Sequence, residues 1–203
     1  MLIPCLRKTF SPTSKTIGSF IAKSRLSPDI FTMISLLWAS ASAVMVAGHS
    51  YLLGSLFVLI SGVWDGIDGS VARCQNRVTG FGNYLDAIID KYVEAIICAG
   101  FVFGGYAAEA FFVISGSLIL SYAKPRTAIV ISIDNHDWPA MGDRADRFVL
   151  IILTLLLGEF IPDINLASKH LSTVSMMLCV TASVIYAGSI QRVLYAKKLI
   201  KSD

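Results

Sequence analysis

Four aspartates between residues 65 and 90 are the side chains of this chain best suited to chemistry. They form two pairs, Asp65 with Asp68 and Asp86 with Asp90, spaced three and four residues apart. If each pair lies on a helix, its carboxylates project from one helical face. Carboxylates held together repel one another and take up protons, whereas magnesium, calcium and manganese select oxygen ligands. The pattern therefore predicts a metal centre, and four acids can hold two ions.

The residues beside the acids indicate what the metals would bind. Gly69 and Ala72 keep one helix face low, and Gly82 opens the facing helix one turn before the second pair. Arg73 adds a planar, forked cation that suits phosphate oxygens. Two-metal carboxylate centres stabilise the entering and leaving oxygens of a phosphoryl displacement. Together these residues predict a pocket for a metal-bound diphosphate.

The same residues form a known signature. The pattern D-x-x-D-G-x-x-A-R, eight residues, then G-x-x-x-D-x-x-x-D resembles that of the CDP-alcohol phosphotransferase family, and every fixed position is matched. The resemblance implies that the metal ligands are Asp65, Asp68, Asp86 and Asp90, with Asp90 also the general base. It implies that the CDP group is bound by Asp65, Asp68, Gly69, Ala72, Arg73 and Gly82. It also implies two divalent cations, Mg²⁺ or Mn²⁺, and a homodimer.

The composition predicts an integral membrane protein. Of the 203 residues, 55% are hydrophobic and 15% are charged, and the mean hydropathy is +0.67, too apolar for an ordinary soluble domain. Ionisable groups within membrane segments usually mark functional sites. The four cysteines lack the spacing of a zinc site or a disulfide framework. Nothing in the sequence indicates a nucleic-acid partner.

Apolar runs predict an all-α protein with six transmembrane helices. The predicted spans are about 30–47, 51–64, 81–105, 107–122, 148–161 and 171–190. Pro125 is predicted to interrupt the helix after the fourth span. The basic segment before Pro28 predicts an amphipathic juxtamembrane helix, with a solvated tail as the alternative. One domain is predicted over 1–203, with a juxtamembrane segment at 1–28, a six-helix bundle at 29–195 and a cytoplasmic tail at 196–203.

The predicted topology places both acid pairs near one membrane face. From Tyr51 to Trp64 the second span covers only about 14 uncharged residues, roughly 21 Å, and the second pair of acids comes early in the third span. Of the 17 lysines and arginines, six spans leave only Lys169 on the side opposite the termini. The positive-inside rule then predicts a multi-pass cell-membrane protein whose active site faces the cytoplasm.

A second group of candidates follows the fourth span. Its members are the cations Lys124, Arg126, Arg144 and Arg192. Basic residues at helix ends often only mark topology or contact anionic lipid. However, the segments 121–126 and 191–192, together with Arg144, are similar to the branch of the family that makes inositol-phosphate phospholipids. That resemblance implies that these cations hold the acceptor's phosphate. Pro125 and Ala128 depart from the alanine and glutamate typical of that branch.

These features predict an enzyme of phospholipid biosynthesis. The resemblance implies transfer of a phosphatidyl-type group from a CDP-linked lipid to the hydroxyl of an inositol phosphate, with release of CMP. Glycerol phosphate, serine or a soluble inositol phosphate are alternative acceptors, and the donor carries either diacylglycerol or an archaeal ether lipid. A membrane cation carrier would also need buried acids, but it does not explain Arg73 and the small residues. Glu94 is predicted to pair with Lys91 or a tyrosine rather than with a metal.

Overall fold

The computed structural model describes residues 28–74, 79–131, 138–166 and 169–202. They form α1 Pro28–Ala47, α2 Tyr51–Cys74, α3 Gly80–Phe103, α4 Ala107–Val130, α5 Arg144–Phe160, β1 Ile164–Leu166, β2 Lys169–Leu171 and α6 Thr173–Ser202. The predicted helical class is confirmed for this part of the chain. The sequence did not indicate the small antiparallel sheet, in which Asn165 of β1 pairs with His170 of β2. The predicted juxtamembrane helix lies outside the described residues.

Helix α4 continues past the proline that was predicted to interrupt it. It runs through Pro125 to Val130, so that prediction is wrong. Proline removes one backbone donor from a helix, but its fixed φ is itself helical. The next turn is packed inside the protein, because Thr127 is buried; its hydroxyl donates to the Ala123 carbonyl at 2.9 Å. The local sequence therefore predicted the wrong C-terminal end for α4.

Three other helices also extend beyond their predicted apolar spans. Helix α2 continues from Trp64 to Cys74, so the first aspartate pair lies on a helix as predicted. Helix α5 begins at Arg144, and α6 runs to Ser202 across the predicted tail. An apolar run marks only the part of a helix that suits lipid. The backbone hydrogen bonds continue into the polar residues that follow.

Within the part of the chain that the structure describes, two helices are long and apolar enough to cross a membrane. They are Ala107–Val130 and Thr173–Lys201, each of which contains an apolar stretch of 18 residues. Thr32–Ala47 and Tyr51–Gly66 are shorter apolar stretches. Large apolar side chains also point outward on several helices, among them Leu37, Phe103 and Phe160, which are 68%, 81% and 70% exposed. Six membrane spans stay a prediction.

The chain forms two compact units, Met1–Gly104 with α1 to α3 and Gly105–Asp203 with α4 to α6. In the first unit, small residues let the helix backbones approach closely, as in membrane helix packing. The Ser42 hydroxyl donates to the Gly54 carbonyl at 2.9 Å, which joins α1 to α2. A Cβ atom on Gly100 would lie 2.7 Å from the Ala43 Cα atom, so α1 and α3 touch through their backbones.

The second unit is built on α6, against which α4 and α5 pack. Gly116 of α4 faces α6 so closely that a Cβ atom there would lie 2.9 Å from the Ile185 side chain. One residue earlier, the Ser115 hydroxyl and the Tyr186 hydroxyl form a hydrogen bond of 3.0 Å. These contacts fix the register between α4 and α6.

Candidate active site

Helices α2 and α3 bring together the three predicted metal ligands whose side chains the structure describes. Asp65 lies on α2, and Asp86 and Asp90 lie one turn apart on α3. One carboxylate oxygen from each lies within 4.8 Å of the other two. Such proximity is unfavourable for ionised carboxylates unless a cation or protons offset their repulsion. The all-oxygen donor set fits a hard divalent cation.

The other signature residues of α2 are placed by its backbone. Asp68, Gly69, Ala72 and Arg73 all lie on this helix. The side chains of Asp68, Ala72 and Arg73 are outside the described part of the structure. Asp68 follows Asp65 by three residues, so helical geometry puts both on one face. A Cβ atom built on Gly66, the residue after Asp65, would meet no described atom within 4 Å.

The N-terminal cap of α3 fixes where the second pair of acids begins. Thr79 is the N-cap residue, and its side-chain oxygen accepts a hydrogen bond of 2.9 Å from the Gly82 amide. A threonine cap satisfies one amide that the first helical turn would otherwise leave unpaired. Gly82 therefore lies in the first turn of α3, one turn before Asp86, as the motif predicted.

Glu94 continues the stripe of acids along α3 but makes a different contact. The Lys91 ammonium lies 3.1 Å from a Glu94 carboxylate oxygen, and Glu94 is buried. A buried carboxylate needs such a partner to offset its desolvation. The predicted pairing with Lys91 is confirmed, and Glu94 is not part of the three-carboxylate group.

In the second unit, Arg192 is buried and bound on all three guanidinium nitrogens. Its Nε atom donates to the Pro139 carbonyl at 3.1 Å, and its Nη1 atom donates to the Leu120 carbonyl at 2.9 Å. Its Nη2 atom donates to the Asp143 carboxylate. Because the guanidinium is rigid and planar, these bonds tie α6 to α4 and to the loop before α5.

That loop, residues 138–143, is packed tightly on α6. A Cβ atom on Gly188 would lie 2.3 Å from the Met141 carbonyl oxygen. Gly142 has a φ of +72°, a left-handed conformation that favours glycine. Its amide donates to Asp146 at 3.1 Å, and its carbonyl accepts from Arg147 at 2.7 Å. The loop is thereby fixed just before Arg144.

The remaining predicted cations lie on the same unit. Arg144 is the first residue of α5, and its guanidinium carbon lies 5.3 Å from the centre of the Phe148 ring. This is within the range of a cation–π interaction. Lys124 is half-buried and Arg126 is exposed, both on α4. The structure leaves their predicted role as phosphate ligands a prediction.

The sequence indicated a role for the cations around this loop but none for Asp143. A glycine and an aspartate before a helix form a recognisable N-cap signal, and Asp143 is indeed the N-cap residue of α5. Yet its side chain makes no capping bond and instead binds Arg192, 49 residues away. No local pattern could have indicated that pair.

The helical fold and the carboxylates at the centre of the signature agree with the comparison with known families. The chain belongs to the CDP-alcohol phosphatidyltransferase family, whose model matches residues 25–185. It is therefore an enzyme of a family that acts on CDP-linked alcohols, as the motif predicted.

Individual relatives are similar over almost the whole chain. An archaetidylinositol phosphate synthase of Methanothermobacter thermautotrophicus is 27% identical over 200 residues, which cover 98% of this chain and 93% of the relative. The structure of Mycobacterium tuberculosis phosphatidylinositol phosphate synthase with CDP-DAG has a TM-score of 0.74 at 18% identity, covering 90% of this chain and 92% of that one. Its complex with manganese and citrate scores 0.72 at 19% identity, with coverages of 90% and 88%. At these identities, the structural likeness shows the fold.

Proposed function

We propose that this enzyme transfers a phosphatidyl-type group from a CDP-linked lipid to the hydroxyl of an inositol phosphate and releases CMP. The observation that carries the proposal is the convergence of Asp65, Asp86 and Asp90 within 4.8 Å inside the family signature. The similar archaetidylinositol phosphate synthase supports an inositol phosphate acceptor. The CDP-DAG complex of the structural neighbour supports a CDP-linked lipid donor.

The metal site in this proposal consists of Asp65, Asp68, Asp86 and Asp90. These residues would hold two divalent cations, Mg²⁺ or Mn²⁺, and the oxygen donor set of the three described carboxylates supports such ions. The manganese complex of the structural neighbour also supports a divalent cation. When bound, the ions would offset the charge of the donor diphosphate and of the entering and leaving oxygens.

The donor pocket in this proposal includes the first part of the metal site. Its residues are Asp65, Asp68, Gly69, Ala72, Arg73 and Gly82. Small residues at 69 and 72 share a helical face by their spacing of three, which leaves room for the nucleotide beside the acids. Arg73 would donate hydrogen bonds to phosphate oxygens.

Asp90 is proposed as the general base. Its carboxylate would accept the proton of the acceptor hydroxyl, whose oxygen forms a bond to the β-phosphorus of the donor. The bond from that phosphorus to CMP then breaks, and CMP leaves with the electron pair. Asp90 lies one turn beyond Asp86 on α3, so a single rigid helix holds both the base and a metal ligand.

The acceptor's phosphate is proposed to bind to the cations Lys124, Arg126, Arg144 and Arg192. All four lie on helices of the second unit, and Arg144 is held over an aromatic ring. Arginine guanidinium groups match phosphate oxygens in a two-pronged geometry. Binding the phosphate would fix the orientation of the acceptor and so lower the entropic cost of the bimolecular step.

We further propose a multi-pass cell-membrane protein that acts as a homodimer. The two helices of the described residues that are long enough to cross a membrane and the outward-facing apolar side chains support a membrane location. The position of Lys169 as the sole cation on one side of six spans supports an active site facing the cytoplasm.

The proposal is tested by CMP release from a CDP-linked lipid with purified protein and Mg²⁺ or Mn²⁺. Inositol phosphate, glycerol phosphate, serine and inositol are offered in turn, and we expect release with inositol phosphate. Release with glycerol phosphate or serine alone would reassign the acceptor. A protein that released no CMP but moved labelled Mn²⁺ into sealed vesicles would be a carrier instead.

A further inference from the structure

We infer that Asp143 is a positioning residue for the acceptor phosphate, because this one carboxylate fixes both Arg192 and the start of the helix that begins with Arg144. The inference rests on the proposed function. It adds to the acceptor site a residue with the opposite charge, which does not itself bind the phosphate.

Asp143 supplies the counter-charge of a buried guanidinium. The Arg192 side chain is 9% exposed, whereas the Asp143 side chain is 46% exposed. Two backbone carbonyls also accept hydrogen bonds from Arg192, but carbonyls carry no net charge. Loss of the carboxylate charge would leave a buried cation less well compensated, which is strongly unfavourable. Arg192 would then change its orientation or draw in water.

The same contact fixes the backbone that leads into α5. Asp143 is the N-cap residue of this helix, and an aspartate at that position normally accepts a hydrogen bond from an amide of its own first turn. Here the side chain makes no such bond and reaches α6 instead. The N-terminus of α5 is therefore anchored to another helix, and Arg144 follows directly.

The loop before Asp143 has little freedom to adapt if this anchor is lost. On one side, the Met141 carbonyl lies against Gly188 with no room for a Cβ atom. Gly142 has its left-handed conformation and is held by Asp146 and Arg147. A displacement at Asp143 is therefore passed on to Arg144 rather than absorbed in the loop.

The experiment compares acceptor and donor kinetics in four variants of the full-length enzyme. Asp143→Asn keeps the size of the side chain and removes its charge, and we expect the KM for inositol phosphate to rise about tenfold or more, with the KM for the CDP-linked lipid unchanged. Asp143→Glu keeps the charge and should restore part of the acceptor affinity. Gly188→Ala displaces the loop without changing any charge and should also raise the acceptor KM.

The matched control is Asp163→Asn. This aspartate accepts a hydrogen bond of 2.9 Å from the Thr173 amide at the start of α6, so the control makes the same chemical change at another helix start. Both KM values should stay at the wild-type level.

An unchanged acceptor KM in Asp143→Asn would overturn the inference while leaving the proposed function intact. An equal loss of donor and acceptor affinity, not reversed by Asp143→Glu, would also overturn it by showing a general structural defect. If the wild-type protein releases no CMP with any acceptor, the proposed function fails and the acceptor role of Asp143 fails with it.

Discussion

Charged residues in this protein form two different arrangements. At one site carboxylates lie close together, and at another a buried cation has a partner of opposite charge. Asp65, Asp86 and Asp90 place three carboxylates within 4.8 Å. Two unit charges 4 Å apart repel by about 4 kcal/mol at an effective dielectric constant near 20. A bound cation would therefore stabilise the folded protein as well as support catalysis. Arg192 shows the opposite arrangement, because the fold itself provides its counter-charge.

We expect Asp86→Asn to reduce CMP release by roughly 100-fold or more, since a metal-bound charge contributes several kcal/mol to the transition state. Without added metal, its melting temperature should equal or exceed that of the wild type, because one repulsive charge is gone. Mn²⁺ should raise the melting temperature of the wild type but not that of Asp86→Asn. In the control Asp163→Asn, Mn²⁺ should still raise the melting temperature. If Asp86→Asn released CMP as fast as the wild type, Asp86 would not be a metal ligand.

At the scale of helices, packing depends on small residues rather than on the burial of apolar side chains away from the surroundings. Lipid tails are as apolar as leucine, so helices in a membrane associate through close backbone contact and hydrogen bonds. Gly100 against Ala43 and the bond from Ser42 to Gly54 are contacts of this kind. They set the position of α3 relative to α1, and α3 carries two of the acids.

We expect Gly100→Ala to destabilise the protein by about 1–3 kcal/mol, since its Cβ atom would lie 2.7 Å from Ala43 and must push α1 away from α3. Gly80→Ala is the matched control on the same helix, because a Cβ atom there meets no described atom within 4 Å. Thermal unfolding in detergent measures both variants. Equal melting temperatures would show that the α1–α3 contact is not tight.

At the scale of the whole molecule, the predicted site residues are divided between the two compact units. The acids belong to the unit of α1 to α3 and the basic residues to that of α4 to α6. The family model matches residues 25–185 and so extends across both. Helix α6, with 30 residues, is about 45 Å long. This exceeds the hydrocarbon thickness of a bilayer, about 30 Å, so the lysines near its C-terminus can lie outside the membrane.

The predicted six-span topology places Lys169 and Lys201 on opposite sides of the membrane. In a chain whose four cysteines have been replaced, Lys169→Cys should react with a membrane-impermeant maleimide on intact cells. Lys201→Cys should react only after the membrane is opened, because the positive-inside rule places the C-terminus in the cytoplasm. Labelling of both positions from the same side would contradict the six-span topology.

The sequence by itself determined the family, the acid signature and the approximate positions of the helices, because motif spacing and hydrophobic periodicity are properties of neighbouring residues. It did not predict that α4 continues through Pro125. The contacts of the turn after the proline outweigh the one backbone hydrogen bond that proline removes. The motif predicted that Asp65 shares one site with the acids of α3, and the structure gives the distance, with one carboxylate oxygen of each within 4.8 Å of the others. Only the tertiary structure showed that Asp143 leaves its own helix to bind Arg192. Such partners are far apart in sequence, and the packing of whole helices decides which of them meet.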